Sequence, residues 1–235
     1  MPKELEAKII EIIPRTSNVK SFRLDTGEEI DYKAGQFLCA SLRDERDCKR
    51  YLSISSSPTE KGYIEFTKKI TQSDFSSALN NFKTGDSLIV KYPMGNFILR
   101  DEEASNIAFL SGGIGITPIR SICKYVVDKR LDKRIVLLYG NRSINDIVFK
   151  DDFEIMQKEY PGLKVTHVLC EPAVGFECIP GLINAGVIKE QIPDYSQRKF
   201  YLCGPPGMID AMQKTLIDEL FLARENIITE KFIGY

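Results

Sequence analysis

Ile107-Ala108-Phe109-Leu110-Ser111-Gly112-Gly113-Ile114-Gly115-Ile116-Thr117-Pro118 is the stretch whose reading sets the architecture of this chain. The apolar run Ile107 to Leu110 has the length of a buried strand, and Ile119 to Val127 continues as a helical run. Thr117 suits a helix N-cap, and Pro118 fits the first helical turn, where its missing N–H costs nothing. The glycines let the backbone turn sharply and come close to a ligand. The free N–H groups of a helix start favour an anion, most often a phosphate. Strand, Gly-rich turn and helix start, in that order, are what a dinucleotide site needs. Taken alone, the loop is equally a tight turn of any α/β protein, because position 118 is proline where the usual fingerprint has a third glycine.

Downstream of this loop, Ile135 to Tyr139, Val165 to Leu169 and Phe200 to Cys203 are short apolar runs. Helical stretches accompany them at Phe149 to Lys158 and Met208 to Leu222. Strands alternating with helices predict a parallel sheet with crossover helices. Upstream the texture differs. Leu5 to Ile13, Val19 to Leu24, Gln36 to Leu42, Tyr51 to Ser55, Tyr63 to Thr67 and Ser87 to Tyr92 read as short strands between turns such as Ala34-Gly35 and Thr84-Gly85-Asp86. One helix, Phe75 to Phe82, interrupts them. This pattern predicts an antiparallel barrel or sandwich. The expected organisation is an N-terminal antiparallel β barrel over residues 1–100 and a C-terminal parallel-sheet α/β domain over residues 101–235. The boundary lies in the charged stretch near Leu99 to Ser105.

The bulk numbers narrow the function classes. The chain has 235 residues, of which 43% are hydrophobic and 28% charged, as in a soluble globular protein. A net charge of −1 gives no basic field for nucleic acid or an anionic membrane. No run approaches the ~18 apolar residues of a spanning helix. The first residues lack an apolar signal-peptide core, so a cytoplasmic protein without membrane insertion is expected. Six dispersed cysteines (39, 48, 123, 170, 178 and 203) lack metal-ligand or iron–sulfur spacing and read as free thiols. His167, the only histidine, sits in an apolar strand and reads as structural. No Gly-x-Ser-x-Gly elbow supports a hydrolase.

Two further segments bear on chemistry. Tyr201-Leu202-Cys203-Gly204-Pro205-Pro206-Gly207-Met208 ends another strand of the parallel sheet, so both Gly-rich turns open at the carboxyl edge, where open α/β sheets bind ligands. Cys203 there is also a common small buried hydrophobe. In the first half, Arg50-Tyr51-Leu52-Ser53-Ile54-Ser55-Ser56-Ser57-Pro58 joins a cation to a short strand and a run of hydroxyls. Arginine can clamp phosphate oxygens, and hydroxyls can hold carbonyl and ring-nitrogen edges. A polar turn with one arginine is the plainer alternative.

Together the three segments resemble the ferredoxin–NADP reductase superfamily of flavoenzymes, in the family's order: an Arg-x-Tyr-Ser/Thr motif in a flavin-binding barrel, Gly-Gly-x-Gly-x-Thr-Pro, Cys-Gly-Pro and a short C-terminal strand. The resemblance implies FAD, ahead of FMN, and NADPH or NADH as hydride donor. It implies that Arg50 grips the flavin pyrophosphate and that Ser53 lies beside the reactive ring edge. Ser76 and Ser77, at a helix start after Lys68 and Lys69, would supply a second pyrophosphate contact. Gly112, Gly113, Ile114, Gly115 and Thr117 would hold the nicotinamide dinucleotide pyrophosphate. Cys203 and Gly204 would flank the nicotinamide, with the acidic Glu230 near Cys203 and Ser53; Glu230 is equally an exposed charge on a terminal strand. Tyr235 would cover the other flavin face, or be a frayed end. Arg142 and Ser143 could bind a 2′-phosphate, and Asp146 argues the other way; the balance leans to NADPH. The motif's aromatic position holds Leu52, with Tyr51 one place early and facing the opposite way.

The resemblance implies a flavin-dependent NAD(P)H oxidoreductase that passes electrons to an external protein such as ferredoxin or an oxygenase component. Leu52 keeps open a flavin reductase that uses free flavin as substrate. An electron-transfer subunit of a larger redox complex is the third reading.

Overall fold

The structure is a computed structural model, and it describes residues 2–27, 31–42, 48–100 and 105–232. The first half holds six antiparallel strands: β1 (Lys3–Thr16), β2 (Val19–Asp25), β3 (Phe37–Ser41), β4 (Lys49–Ser53), β5 (Ile64–Lys69) and β6 (Ser87–Met94). They hydrogen-bond in the order β4-β3-β6-β1-β2-β5. Period-two patterning produces this sheet. In β6, Leu88, Val90 and Tyr92 point inward while their neighbours stay partly exposed. The two ends close into a barrel. Ile54 bridges Phe66, and the Ser55 N–H donates to the Glu65 carbonyl at 2.7 Å. Inside, the Phe22 and Phe66 rings stack with centroids 5.2 Å apart.

The helix α1 (Asp74–Asn81) lids this barrel. Eight residues are too few for a helix stable on its own. Ser73 caps its start, and Phe75 and Leu79 are fully buried. Each such burial is worth about 1.5–3 kcal/mol.

The second half is a parallel sheet of β7 (Asn106–Gly112), β8 (Arg134–Asn141), β9 (Leu163–Leu169), β10 (Ile179–Pro180), β11 (Lys199–Gly204) and β12 (Ile227–Lys231). The spatial order is β10-β9-β8-β7-β11-β12. Four helices complete it: α2 (Ile116–Lys129), α3 (Lys150–Glu159), α4 (Ala185–Gln191) and α5 (Pro206–Lys214). Residues of α2 and α3 share one hydrophobic cluster, and residues of α4 and α5 share the other. Both faces of the sheet are therefore covered, which is why β7 and β8 read as unbroken apolar runs. From β7 the chain steps to β8 on one side, and β11 lies on the other. That reversal is the switch point where such sheets bind ligands.

Several local expectations change. α2 starts at Ile116 and its N-cap position is Gly115, so Thr117 lies inside the first turn and is not the cap. The helix expected over Met208 to Leu222 is α-helical only to Lys214 and continues as a π-helix over Thr215–Glu219. α4 and β10 were not legible, because Ala185–Gln191 is too short to show a clear period. In β5, Ile64 to Lys68 are all buried, against the alternation expected of a barrel strand. The outward Glu65 and Thr67 are buried by hydrogen bonds to Ser21, Ser55, Arg15 and Arg23 of the same half. Val19, Ala34 and Phe97 of the first half belong to the same core as Ile116, Ile122 and Tyr201 of the second.

Candidate functional site

The Gly-rich loop leaves β7 as a 3-10 turn, Gly113–Gly115, before α2 begins. Gly113 has φ +52°, a left-handed conformation that favours glycine, and a Cβ on it would meet only open space. Gly115 is required for a different reason. A Cβ there would run into the Cys203 carbonyl and the Gly204 backbone. The two Gly-rich loops thus lie backbone against backbone. Thr117 is buried, and its hydroxyl donates to the Ile114 carbonyl at 3.0 Å, so it shapes the loop from behind. The Tyr139 hydroxyl donates to the Gly113 carbonyl at 3.0 Å and accepts the Val148 N–H.

In front of the loop lies a cavity of about 500 Å³. Gly112, Gly113 and Ile114 line it on one side, and Asn18, Val19 and Lys69 of the barrel face them. Among the described residues, neither side-chain polar atom of Asn141, buried in the cavity wall, has a hydrogen-bond partner. A polar ligand would satisfy them.

Parallel pairing places Glu230 opposite Cys203. From the barrel, the Ser53 hydroxyl donates to Glu230 Oε1 at 3.1 Å. Three residues far apart in the chain thus converge at the carboxyl edge of the sheet. Burial pushes the Glu230 carboxyl up to about 7, and the Ser53 hydrogen bond offsets part of that rise. Burial, reinforced by the Glu230 charge, pushes the Cys203 thiol well above its usual range. A thiol so placed stays protonated and is no nucleophile.

A second cluster lies at the barrel's lid. Lys68 is buried, while its neighbour Lys69 faces the cavity, because adjacent strand residues point opposite ways. Burial, with the charge of Arg50, lowers the Lys68 ammonium to about 8. Arg50 lies with its guanidinium carbon 5.8 Å from the Phe75 ring centroid, and its Nη1 donates to the Lys49 carbonyl. Ser76 is buried and bonded to the Thr71 and Ser73 hydroxyls at 3.1 Å; Ser77 is exposed on the next position. Two cations and a helix start in one place suit a diphosphate.

At the far end of the cavity, Arg142 and Ser143 are engaged elsewhere. Arg142 Nε donates to Glu171 Oε1 at 2.8 Å, with both side chains more than half exposed. The Ser143 hydroxyl donates to Asp146 Oδ2 at 2.7 Å in a capping box. Asp146 itself lines the cavity. The expected 2′-phosphate cradle is therefore balanced by two carboxylates. His167 packs between the Tyr139 and Phe176 rings, at 5.9 and 5.2 Å between centroids, and burial lowers its pKa.

Family comparison matches residues 6–98 to an oxidoreductase FAD-binding domain and residues 109–214 to an oxidoreductase NAD-binding domain. The chain belongs to the ferredoxin–NADP reductase superfamily. It is 34% identical over 174 residues to NADH-cytochrome b5 reductase 1 of Aspergillus terreus, covering 71% of this chain and 58% of that protein. It is 27% identical over 244 residues to the phenol hydroxylase P5 protein of Acinetobacter pittii, covering 99% of this chain and 66% of that protein. The chain thus spans less than two thirds of the length of these relatives. In fold it matches the ferredoxin reductase in carbazole 1,9a-dioxygenase with a TM-score of 0.86 at 24% identity, over 99% of this chain and 70% of that one.

Within this superfamily fold, Leu52 is 8% exposed and belongs to the barrel core, while Tyr51 is 64% exposed and packs edge-on to Phe37. Tyr235 lies outside the described residues. The hydroxyl run after Ser53 does not face the cleft. Ser55, Ser56 and Ser57 are fully buried, with their hydroxyls on Glu65, Tyr32 and Thr59. Sequence reasoning also missed Arg120, Glu60 and Asp152: Arg120 pairs with Glu60 across the seam between the halves and with Asp152 on its own side. Their charges lie on three separate elements, and no spacing rule links them.

Proposed function

We propose that the chain is an NADH-dependent flavoprotein reductase that binds FAD in residues 1–100, binds the coenzyme in residues 101–235, and hands electrons to a separate carrier such as ferredoxin or an oxygenase component. The observation that carries this reading is the Ser53–Glu230 hydrogen bond across the seam, with Cys203 in register beside it. Arg50, Lys68 and the start of α1 hold the FAD diphosphate. The loop Gly112 to Gly115 holds the coenzyme diphosphate, and Cys203 and Gly204 border the nicotinamide. Bound FAD supplies the two-electron acceptor for the hydride and then the donor to the carrier. Ser53 orients the flavin ring edge, and Glu230, titrating near neutrality, holds or releases a proton beside it. The closed seam excludes water. The Cys203 thiol acts by shape, since contact of about 3–3.5 Å between reacting atoms leaves no room for a larger side chain.

NADH is favoured over NADPH because Asp146 lines the cavity and Glu171 offsets Arg142. The curated relative named as an NADH-cytochrome b5 reductase supports the same choice. The relative named as a phenol hydroxylase P5 protein supports an oxygenase component as acceptor. An anaerobic titration of the FAD-loaded protein, followed through flavin absorbance, tests both cofactors: NADH bleaches the flavin at lower concentration than NADPH. Bleaching by neither coenzyme would overturn the reading. The buried Leu52 supports a second reading, a reductase of free flavin; colour lost on dialysis, with NADH oxidation restored by added flavin, selects it.

A further inference from the structure

We propose that Arg120 and Ser121 are positioning residues that lock the flavin-facing strand to the coenzyme loop across the seam. The inference rests on the reductase reading above and extends it to residues that touch neither cofactor. β4 ends at Ser53, and the chain beyond it presents two carbonyls to the second half. Arg120 Nη1 donates to the Ser55 carbonyl at 3.1 Å, and the Ser121 hydroxyl donates to the Ser56 carbonyl at 2.6 Å. Both donors lie on α2, just past the Gly113–Gly115 turn that starts the coenzyme loop. Two hydrogen bonds and a few covalent links thus join the Ser53 edge to the phosphate loop.

The arginine is built to hold a direction. It is 6% exposed, and its five N–H groups make five hydrogen bonds: Nε and Nη2 to Asp152, Nη1 and Nη2 to Glu60, and Nη1 to Ser55. Glu60 belongs to the barrel half and Asp152 to α3, so the planar fork is fixed from both sides of the seam. Arg15 of β1 adds a contact to Asp152 at 3.6 Å and one to Glu65 at 3.4 Å. Burial opposes the Arg120 charge, and Glu60 and Asp152 outweigh that opposition. Buried ion networks often add little stability over a well-packed apolar contact. The apolar seam around Phe97 and Ile122 already holds the halves together. What the guanidinium adds is orientation, because its donors lie in a fixed plane. Hydride transfer is sensitive to that: a misplacement of about 1 Å can cost roughly a hundredfold in rate.

The test compares Arg120→Gln, Arg120→Lys and Ser121→Ala with the parent in the FAD-loaded protein. Flavin reduction by NADH in a stopped-flow instrument should slow about ten- to a hundredfold in Arg120→Gln, with flavin content and NADH affinity unchanged. The long-wavelength charge-transfer absorbance of the flavin with bound NAD⁺ should weaken in parallel. Arg120→Lys should recover part of both, and Ser121→Ala should show the same pattern more weakly. Unchanged reduction rate and absorbance in Arg120→Gln and Ser121→Ala overturn the proposal. So does a rate loss that only follows lost flavin or lost fold. If the parent itself is not reduced by NADH or NADPH, the reductase reading fails separately. Amide hydrogen exchange then decides the lock: faster exchange at residues 53–57 and 112–117 in Arg120→Gln supports it, and unaltered exchange sinks it.

Discussion

Glu230 is an acid held at its titration point near neutral pH. In the folded protein it keeps its proton to about pH 7, whereas its ordinary value is 4.5. Between those values the folded state binds more protons than the unfolded chain, so stability falls as pH rises through the interval. Above it the whole cost is present. The melting temperature of the parent should therefore drop relative to Glu230→Gln between about pH 5 and pH 8; parallel melting curves would show that the carboxyl is not buried as described. Lys68 makes a second residue-scale case with the opposite charge. Its ammonium titrates at about 8, so a diphosphate beside it loses a cation as pH rises through that value. The FAD dissociation constant should climb over the same range, and Lys68→Met should remove the dependence while weakening binding about ten- to a hundredfold at neutral pH. A flat pH profile in the parent, read by fluorescence titration, would place the diphosphate elsewhere. The cationic and glycine residues could be singled out as candidates from the sequence because their chemistry is local. The role of Ser55 to Ser57 was not, because a serine run shows hydroxyls without showing which way they turn.

At the scale of elements, two Gly-rich loops meet because Gly115 lets α2 start directly against the end of β11. Gly115→Ala should push these loops apart. The expected cost is about 2–3 kcal/mol in urea unfolding, together with a raised KM for NADH. A variant with parental stability and KM would mean that the loops do not touch as described. Strand and helix positions were mostly legible from local pattern, since β6 alternates, β7 and β8 are short unbroken apolar runs, and α2 has an apolar helical face. β5 broke its pattern because its outward Glu65 and Thr67 are buried in a polar network with Ser21, Ser55, Arg15 and Arg23, and α4 and β10 are too short for any period to show. α2 begins before Thr117 because Gly115 takes the cap position.

The molecule as a whole depends on its seam. Phe97 packs edge-on to Tyr201 at 5.4 Å between centroids, and the Tyr201 hydroxyl donates to the Ile98 carbonyl at 3.2 Å. A core that draws residues from both halves should unfold as one unit. Phe97→Ala should cost about 3–5 kcal/mol in denaturant unfolding, and the loss should be seen equally by probes in either half. Loss confined to one half would mean that the halves fold independently. Among the described residues no helix is long and apolar enough to cross a membrane.

Composition, periodicity and ordered motifs settle the two-part architecture and the family, and they single out the glycines, cations and Cys203 as candidates, because each of these depends on near neighbours in the chain. The meeting of Ser53 with Glu230, the split of Lys68 from Lys69 and the Arg120 fork arise from packing between segments far apart in sequence. Side-chain direction and burial across a seam are set only when both surfaces are present, so those features took the folded structure to decide.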